Sequence, residues 1–394
     1  MFNAHALKKV SSLLRVFSKA DSRFPNSVRS WEAFQCIPPS GREDLKAYIA
    51  DQPIKNICNL TATSGSTSSR MIIAHSRQAY EAHLNRLVKI YRWAGVKKGN
   101  LCLNLCSYEL NSGGRMMEAA FKAAGAGVIP LGPISTPEKI LEAADLIKSL
   151  KPVMINAYTN QLFDLFAHLG RKHSIRRCLV NGEPLWPEYR RRIEKMGGVK
   201  IVDHYGAMEI SGLAVVKKPD DEYMRVAADG LLLEVLQEDG KAYETGAGDL
   251  LVTDLDNTCM PFIRYRLGDR VELVRRRGDL LIKVLGRSQG SLLINGVVVI
   301  KEALIRAVND FLGSPSFFFV VDKHPLKYYD KLVINVVGAS LKKGQDLPSA
   351  VSRALGIDRC MEIRTYRGMI PRTTSGKIRY FVDVRKPGLE DHSR

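Results

Sequence analysis

The chain has 394 residues, more than one hydrophobic core usually serves, and its 45% hydrophobic and 25% charged residues are those of an ordinary globular protein. No apolar run approaches the length that spans a bilayer and no signal-peptide pattern opens the chain, so membrane and secretory readings are set aside and a cytoplasmic protein is expected. A formal charge of +18 admits nucleic acid, an acidic partner or anionic small molecules, but the basic residues are spread out, with only short clusters at Arg190-Arg191-Arg192 and Arg275-Arg276-Arg277 and no nucleic-acid motif, so nucleic acid is not the expected partner.

The first thirty residues, with Lys8, Lys9, Arg15, Lys19, Arg23 and Arg29, are amphipathic and predict an N-terminal surface helix. Helical periodicity over 77–93, 114–124 and 136–149 alternates with apolar runs at 101–106, 127–131 and 153–155. That alternation predicts an α/β fold with a largely parallel sheet in the first part. From about residue 229 the runs 231–235, 249–253, 271–274 and 280–284 follow one another between Gly and Asp turns, which predicts a β-rich, antiparallel subdomain. After Gly286 comes a strand at 292–300, a helix at 301–312, strands near 317–321 and 332–337, a helix at 347–355 and a strand at 361–366. This βαββαβ order predicts a small α+β lid, and the chain divides into residues 1–288 and 289–394. Seven cysteines are scattered along it. Only Cys102 and Cys106 lie close together, in a run that reads as a buried strand, so reduced thiols and no zinc site are expected.

Four segments carry chemistry. Thr63-Ser-Gly-Ser-Thr-Ser-Ser-Arg70 follows a strand-like segment, and its small hydroxylated residues around Gly65 leave N–H and O–H groups free to wrap a phosphate chain; the Gly-Lys-Ser/Thr ending of a Walker loop is missing. In Asp203-His-Tyr-Gly-Ala-Met-Glu209 an aromatic ring beside Gly206 can stack on a base, and a carboxylate four residues on can reach Mg²⁺. In Arg264-Tyr-Arg-Leu-Gly-Asp269, followed by Gly286-Arg287, an Asp after a Gly turn suits a ribose diol. Pro371-Arg-Thr-Thr-Ser-Gly-Lys377 presents one lysine on a loop near the C-terminus. Each alone has a bland reading as loop, core tyrosine or solvated lysine.

In order and spacing these four segments resemble the adenylate-forming superfamily of acyl-CoA synthetases, adenylation domains and luciferases, over roughly Trp31 to Arg379. Ser107-Tyr-Glu-Leu-Asn-Ser-Gly-Gly114, Gly127-Val-Ile-Pro-Leu-Gly132 and Asn181-Gly-Glu-Pro184 are similar to the phenylacetate-CoA ligase-like branch. The resemblance implies that Ser64, Gly65, Ser66 and Thr67 hold the β- and γ-phosphates of ATP. Gly182, Glu183 and Pro184 would line the adenine, with Tyr205 and Gly206 against the base and Asp203 facing its amino group. Glu209 would ligate Mg²⁺, Asp269 and Arg287 would hold the ribose, and Lys377 would bridge the substrate carboxylate and the α-phosphate. It further implies a lid that turns about Gln289 and admits a pantetheine thiol beside Asn295-Gly296. The pocket for a small carboxylic acid would be lined by Tyr108, Glu109, His204, Ala207, Met208 and Ser211. The thiol would belong to coenzyme A, to the phosphopantetheine of an acidic carrier protein, or to a protein cysteine.

The chain departs from that pattern at three places. Ser68 and Ser69 stand where relatives carry Gly and Lys, with Arg70 one position later, so triphosphate handling differs or the chain is a non-catalytic nucleotide binder. The hinge reads Gln289-Gly290 where acidic residues are commoner. Glu109 either faces the pocket, where its carboxylate would pair with an amine and point to an amino acid or an amino-substituted aryl acid, or it turns away or pairs with Arg115; the acid expected is an aryl or amino-substituted one.

Overall fold

The computed structural model describes residues 2–19, 21–51, 56–63, 71–110, 113–182, 185, 187–216, 221–288, 290–294, 297–312, 316–323, 330–337, 347, 349, 351, 361–372 and 378–383. Two compact units form: residues 1–185 with 193–288, and residues 186–192 with 289–394.

The first unit opens with α1 (Ala4–Phe17), α2 (Trp31–Gln35) and α3 (Arg42–Asp51). Asn3 caps α1, its side chain accepting from the Ala6 N–H at 2.9 Å. The helix is amphipathic, as its pattern predicts, and buries Val10, Leu13, Leu14 and Phe17 against Phe24, Phe34, Leu232 and Ile263. A hairpin follows, β1 (Ile57–Ala62) with β2 (Ile72–Ser76), and Ser76 then caps the long helix α4 (Arg77–Trp93).

Next, β3 (Leu101–Asn104), α5 (Gly113–Ala123), β4 (Gly127–Pro130), α6 (Pro137–Leu150), β5 (Met154–Ala157), α7 (Thr159–Leu169), β6 (Arg177–Val180), α8 (Pro187–Gly197) and β7 (Lys200–Tyr205) alternate along the chain. Their strands are parallel, in the order β4-β3-β5-β6-β7. Successive strand side chains point to opposite faces. Leu103, Ile155, Cys178 and Ile201 therefore join one core with Ile147, Leu162, Leu165 and Phe166. Cys102, Met154 and Leu179 join another with Leu87, Tyr91 and Phe121. Both faces are covered by helices, which is why the strands read as continuous apolar runs rather than alternating ones.

The sheet then changes character. β8 (Ala214–Val216), β9 (Met224–Val226), β10 (Leu231–Leu236), β11 (Ala242–Tyr243), β12 (Gly246–Asp254), β13 (Tyr265–Arg276) and β14 (Asp279–Arg287) extend it antiparallel to twelve strands. The expected β-rich part is thus continuous with the parallel part, and β7 is the strand at which one becomes the other.

The second unit contains β15 (Ser291–Ile294), β16 (Val297–Ile300), α9 (Lys301–Leu312), β17 (Phe317–Lys323), β18 (Asp330–Val337), β19 (Met361–Tyr366) and β20 (Phe381–Asp383). Residues 292–300 are not one strand but an antiparallel hairpin, with the sequence Asn295-Gly296 between its arms, the dipeptide that favours a two-residue turn. The sheet order is β19-β18-β17-β20, and Leu304 and Val308 of α9 pack with Phe317, Phe319, Leu332 and Ile334. Of the helix expected over 347–355, only 347, 349 and 351 lie among the described residues, and they are helical. No described helix is long and apolar enough to cross a membrane, and the described cysteines are free thiols.

Candidate active site

Open α/β sheets take their ligands beyond the carboxyl ends of the parallel strands, at the point where strand order or sense reverses. Here that point is the end of β7, and Tyr205 is its last residue. The chain turns at once. A Cβ on Gly206 would lie 3.0 Å from the Gly212 nitrogen, so only glycine fits without displacing backbone. Ala207 and Ile210 exchange N–H···O bonds of 3.2 Å and Leu213 N–H returns to the Tyr205 carbonyl at 2.9 Å. The loop 206–212 is held by its own backbone, with Tyr205, Ala207 and Met208 packed on the core beneath β10, β12 and β13.

Three strands deliver a compact polar group. The Tyr205 phenol donates to Asp269 Oδ2 at 2.5 Å, and Arg287 Nη1 donates to Asp269 Oδ1 at 2.7 Å. Asp269 and Arg287 oppose each other in the β13–β14 register, the carboxylate buried and the guanidinium largely open to solvent. Burial and the adjacent Asp269 carboxylate push the Tyr205 phenol well above its usual range, so it stays a donor.

Glu209 sits half-buried beside this group. Burial pushes its carboxyl up, while its own backbone N–H, Arg287 and Arg42 pull it back toward the charged form. Burial first, and then the Glu209 charge, push the Tyr265 phenol up, and His75 Nε2 donates to the Glu209 carbonyl at 3.2 Å. Arg42, from the first turn of α3, donates from Nη2 at 3.2 Å to Oγ1 of Thr63, the first residue of the Ser/Thr/Gly segment. Sequence reasoning missed Arg42 and Tyr265. A lone arginine at a helix start carries no signal. Tyr265 lay inside a segment singled out only for its aspartate.

Behind His75, His83 Nε2 donates to Asp254 Oδ2 at 2.9 Å, both side chains fully buried. Burial first, and then Arg86, lower the His83 pKa to about 4 despite the Asp254 bond. The ring is therefore neutral.

On the parallel side, Asn104, Asn156 and Asn181 stand in a row across the carboxyl ends of β3, β5 and β6. Asn156 Nδ2 donates to Asn104 Oδ1 at 2.9 Å, Asn181 Nδ2 to Asn156 Oδ1 at 3.4 Å, and Asn104 Nδ2 to the Tyr108 hydroxyl at 2.7 Å. Tyr108 lines an open cavity of about 530 Å³ together with Ser107, Glu109, Arg115, Leu131 and Gly132. Glu109 is exposed at its rim, and the Arg115 guanidinium donates from Nε to the Tyr108 carbonyl at 3.0 Å.

The remaining sequence-derived positions divide as follows. Asp203 pairs with Val180 in the β6–β7 register, Gly182 is an exposed residue with φ of 72° just past β6, and Ser211 is half-buried in the loop after Glu209. His204, between Asp203 and Tyr205, points to the opposite face and is buried with its ring edge-on to Tyr91, centroids 5.8 Å apart. Ser64, Gly65, Ser66, Thr67, Glu183, Pro184, Gln289 and Lys377 lie outside the described residues.

The model of the AMP-binding enzyme family matches residues 8–253. The chain is 24% identical to a phenylacetate-coenzyme A ligase of Thermus thermophilus, over 92% of this chain and 89% of that one. It is 26% identical to the enzyme of the same name from Escherichia coli, over 84% and 79%. Among solved structures, 2-hydroxyisobutyryl-CoA ligase in the postadenylation state superposes with a TM-score of 0.79 at 19% identity, covering 98% of this chain and 91% of that one, and so shares the fold. A family match over more than half the chain spans the sheet junction, the Tyr205 loop and the antiparallel strands into β12: the protein belongs to the AMP-binding enzyme family, the adenylate-forming superfamily, in its phenylacetate-CoA ligase-like branch.

Proposed function

We propose that the protein activates an aryl or amino-substituted carboxylic acid with ATP and passes the acyl group to the thiol of coenzyme A. In the first half-reaction a carboxylate oxygen attacks the α-phosphorus and pyrophosphate leaves. In the second the thiol sulfur attacks the acyl carbonyl, AMP leaves with the bonding pair, and the thiol proton passes to solvent. The observation that carries this reading is the Tyr205–Asp269–Arg287 group beside Glu209 at the end of β7. A buried carboxylate with two acceptor oxygens suits a ribose diol, and the Tyr205 ring beside Gly206 suits an adenine face.

Arg42 and Arg287 add positive charge around Glu209, where a triphosphate gathers negative charge. Arg42, next to Thr63, stands near the loop in which Ser68 and Ser69 replace the usual Gly and Lys. Glu209 offers hard carboxylate oxygens of the kind that take Mg²⁺ together with phosphate oxygens, and no cluster of three or more potential ligands among the described residues competes for it. Bound there, Mg²⁺ would offset phosphate charge. Lys377 would stabilise the charge growing on the α-phosphate.

ATP–pyrophosphate exchange against aryl, amino-aryl, amino and fatty acids tests the reading, with Lys377→Ala as control. One acid class should drive exchange, and the variant should lose it by roughly 10²–10³-fold. Thioester formed with free coenzyme A, and not only with a phosphopantetheinylated carrier, supports the acceptor. ATP binding without exchange on any acid would instead make the chain a non-catalytic nucleotide binder.

A further inference from the structure

An aspartate–histidine pair has the form of a base and its orienter, yet the His83 and Asp254 side chains have no exposure, so neither meets a substrate. What the pair does reach is His75 of β2, whose ring meets that of His83 edge-on, centroids 4.7 Å apart. His75 is itself buried, and it is the side chain that bonds the Glu209 carbonyl through Nε2 at 3.2 Å. On the reading of Glu209 as the Mg²⁺ ligand given above, this chain of contacts ends at the metal site.

Every member of the chain is fixed from more than one side. Asp254, the last residue of β12, accepts from His83 Nε2 on Oδ2 at 2.9 Å and from the Asp256 N–H on Oδ1 at 3.0 Å. Its carboxylate therefore cannot turn, and it holds the His83 ring in one orientation. Asn257 grips the backbone on either side of His75. Its Nδ2 donates to the Ala74 carbonyl at 3.0 Å, and its Oδ1 accepts from the Ser76 N–H at 3.3 Å. The Ser76 hydroxyl adds a bond to the Asp256 carbonyl at 2.9 Å.

The far end of the chain is a tight turn. Met208 and Glu209 lie at its tip, closed by the reciprocal bonds of Ala207 and Ile210. The Ile210 N–H goes to the Ala207 carbonyl, and the Glu209 carbonyl takes the His75 bond. The peptide unit between residues 209 and 210 is thus held at both of its polar ends. Because that unit is planar, fixing it narrows the backbone torsions of Glu209 and so the direction in which its side chain leaves the chain. A ligand group ordered beforehand loses less conformational entropy when it binds.

We propose that His75, braced by His83 and Asp254, is a positioning residue that presets the Glu209 carboxylate for the Mg²⁺ of Mg·ATP, acting through the Glu209 backbone. Partners that orient a metal ligand commonly matter to metal affinity nearly as much as the ligand itself.

The test is ATP binding by calorimetry, with Mg²⁺ and with a chelator, in the wild type, His75→Phe, His75→Gln, Glu209→Gln and the double variant His75→Phe with Glu209→Gln. Mg²⁺ should tighten ATP binding to the wild type. His75→Phe keeps a flat ring but removes the donor; it should cut that tightening roughly 3- to 10-fold and leave metal-free ATP affinity unchanged. His75→Gln, whose amide nitrogen reaches about as far as Nε2, should restore it. With Glu209 already changed to Gln, His75→Phe should take nothing more from the tightening. Should the phenylalanine disturb folding, His75→Asn, too short to reach the Glu209 carbonyl, gives the same comparison. Equal loss of affinity with and without Mg²⁺, or an effect that adds in full to that of Glu209→Gln, overturns the proposal while Glu209 remains the metal ligand. Tightening that survives Glu209→Gln, or that is missing from the wild type, overturns the reading of Glu209 and the proposal together.

Discussion

At the scale of single residues the candidate site is an arrangement of acceptors and donors around Asp269. Its carboxylate takes one bond from Tyr205 and one from Arg287, and both donors are positioned by strands rather than by free loops. Asp269→Asn keeps the size and removes the charge. A hydrogen bond to a charged group contributes about 1.5–3 kcal/mol, so the KM for ATP should rise roughly 10- to 100-fold with a smaller change in the KM for the acid. Initial-rate kinetics with each substrate varied in turn would show it, and equal rises in both constants would argue that Asp269 acts through stability instead. Tyr205, Glu209 and Asp269 lay in segments that the sequence singled out, but their roles were readable only through the family resemblance and not from any one segment. Arg42 and Tyr265 were not readable even so, because their contribution exists only once α3 and β13 approach Thr63 and Glu209.

At the scale of elements, the parallel half was readable closely as far as β5, since 77–93 is α4 and the 101–106 run contains β3, whereas α7, β6 and α8 were not singled out. Both faces of that sheet are covered, so period and apolar runs dominate the pattern. The antiparallel half was readable as strands but not as an extension of the same sheet, because pairing of β7 with β8 is a long-range choice that no window of sequence contains. One element junction is more exacting than it looks. Gly114 is the second residue of α5, and a Cβ there would lie 2.3 Å from the Ser107 carbonyl oxygen and 2.8 Å from that of Cys106. Both obstacles are backbone and cannot swing aside. Gly114→Ala should therefore push residues 106–108 away, costing on the order of 1–3 kcal/mol of stability as overpacking does. The Tyr108 side of the open cavity should shift with it. The denaturant midpoint should fall and the KM for the acid should rise more than that for ATP; an unchanged midpoint would show that α5 can slide to accommodate the methyl group.

At the scale of the molecule, the notable quantity is the ionisable residues held inside the first unit. The Arg264 guanidinium pairs with Glu234 and also donates to the Gln35 and Ile37 carbonyls, tying the N-terminal helices to the β-rich half. That pair is compensated charge. His83 and His204 are different, because each is buried neutral, with a pKa lowered from 6.5 to about 4 mainly by desolvation. Their sign in the stability balance follows directly. Between about pH 4 and 6.5 the unfolded chain binds protons that the folded chain refuses, so stability rises with pH across that window. The contribution is complete above pH 6.5 and is lost as the pH falls toward 4; Asp254, lowered to about 2 from 3.8, adds a loss only below that. Each histidine accounts for up to about 3 kcal/mol. That is a large share of the roughly 5–15 kcal/mol by which domains are stable. Denaturant midpoints should fall steadily from pH 6.5 to 4.5, and His204→Gln, which cannot titrate, should make the fall shallower. The variant matters because a chain of formal charge +18 also gains self-repulsion as its carboxylates protonate, and that background is common to both proteins. If the two curves run parallel, His204 titrates normally in the folded state and the fall belongs to His83 and the net-charge background.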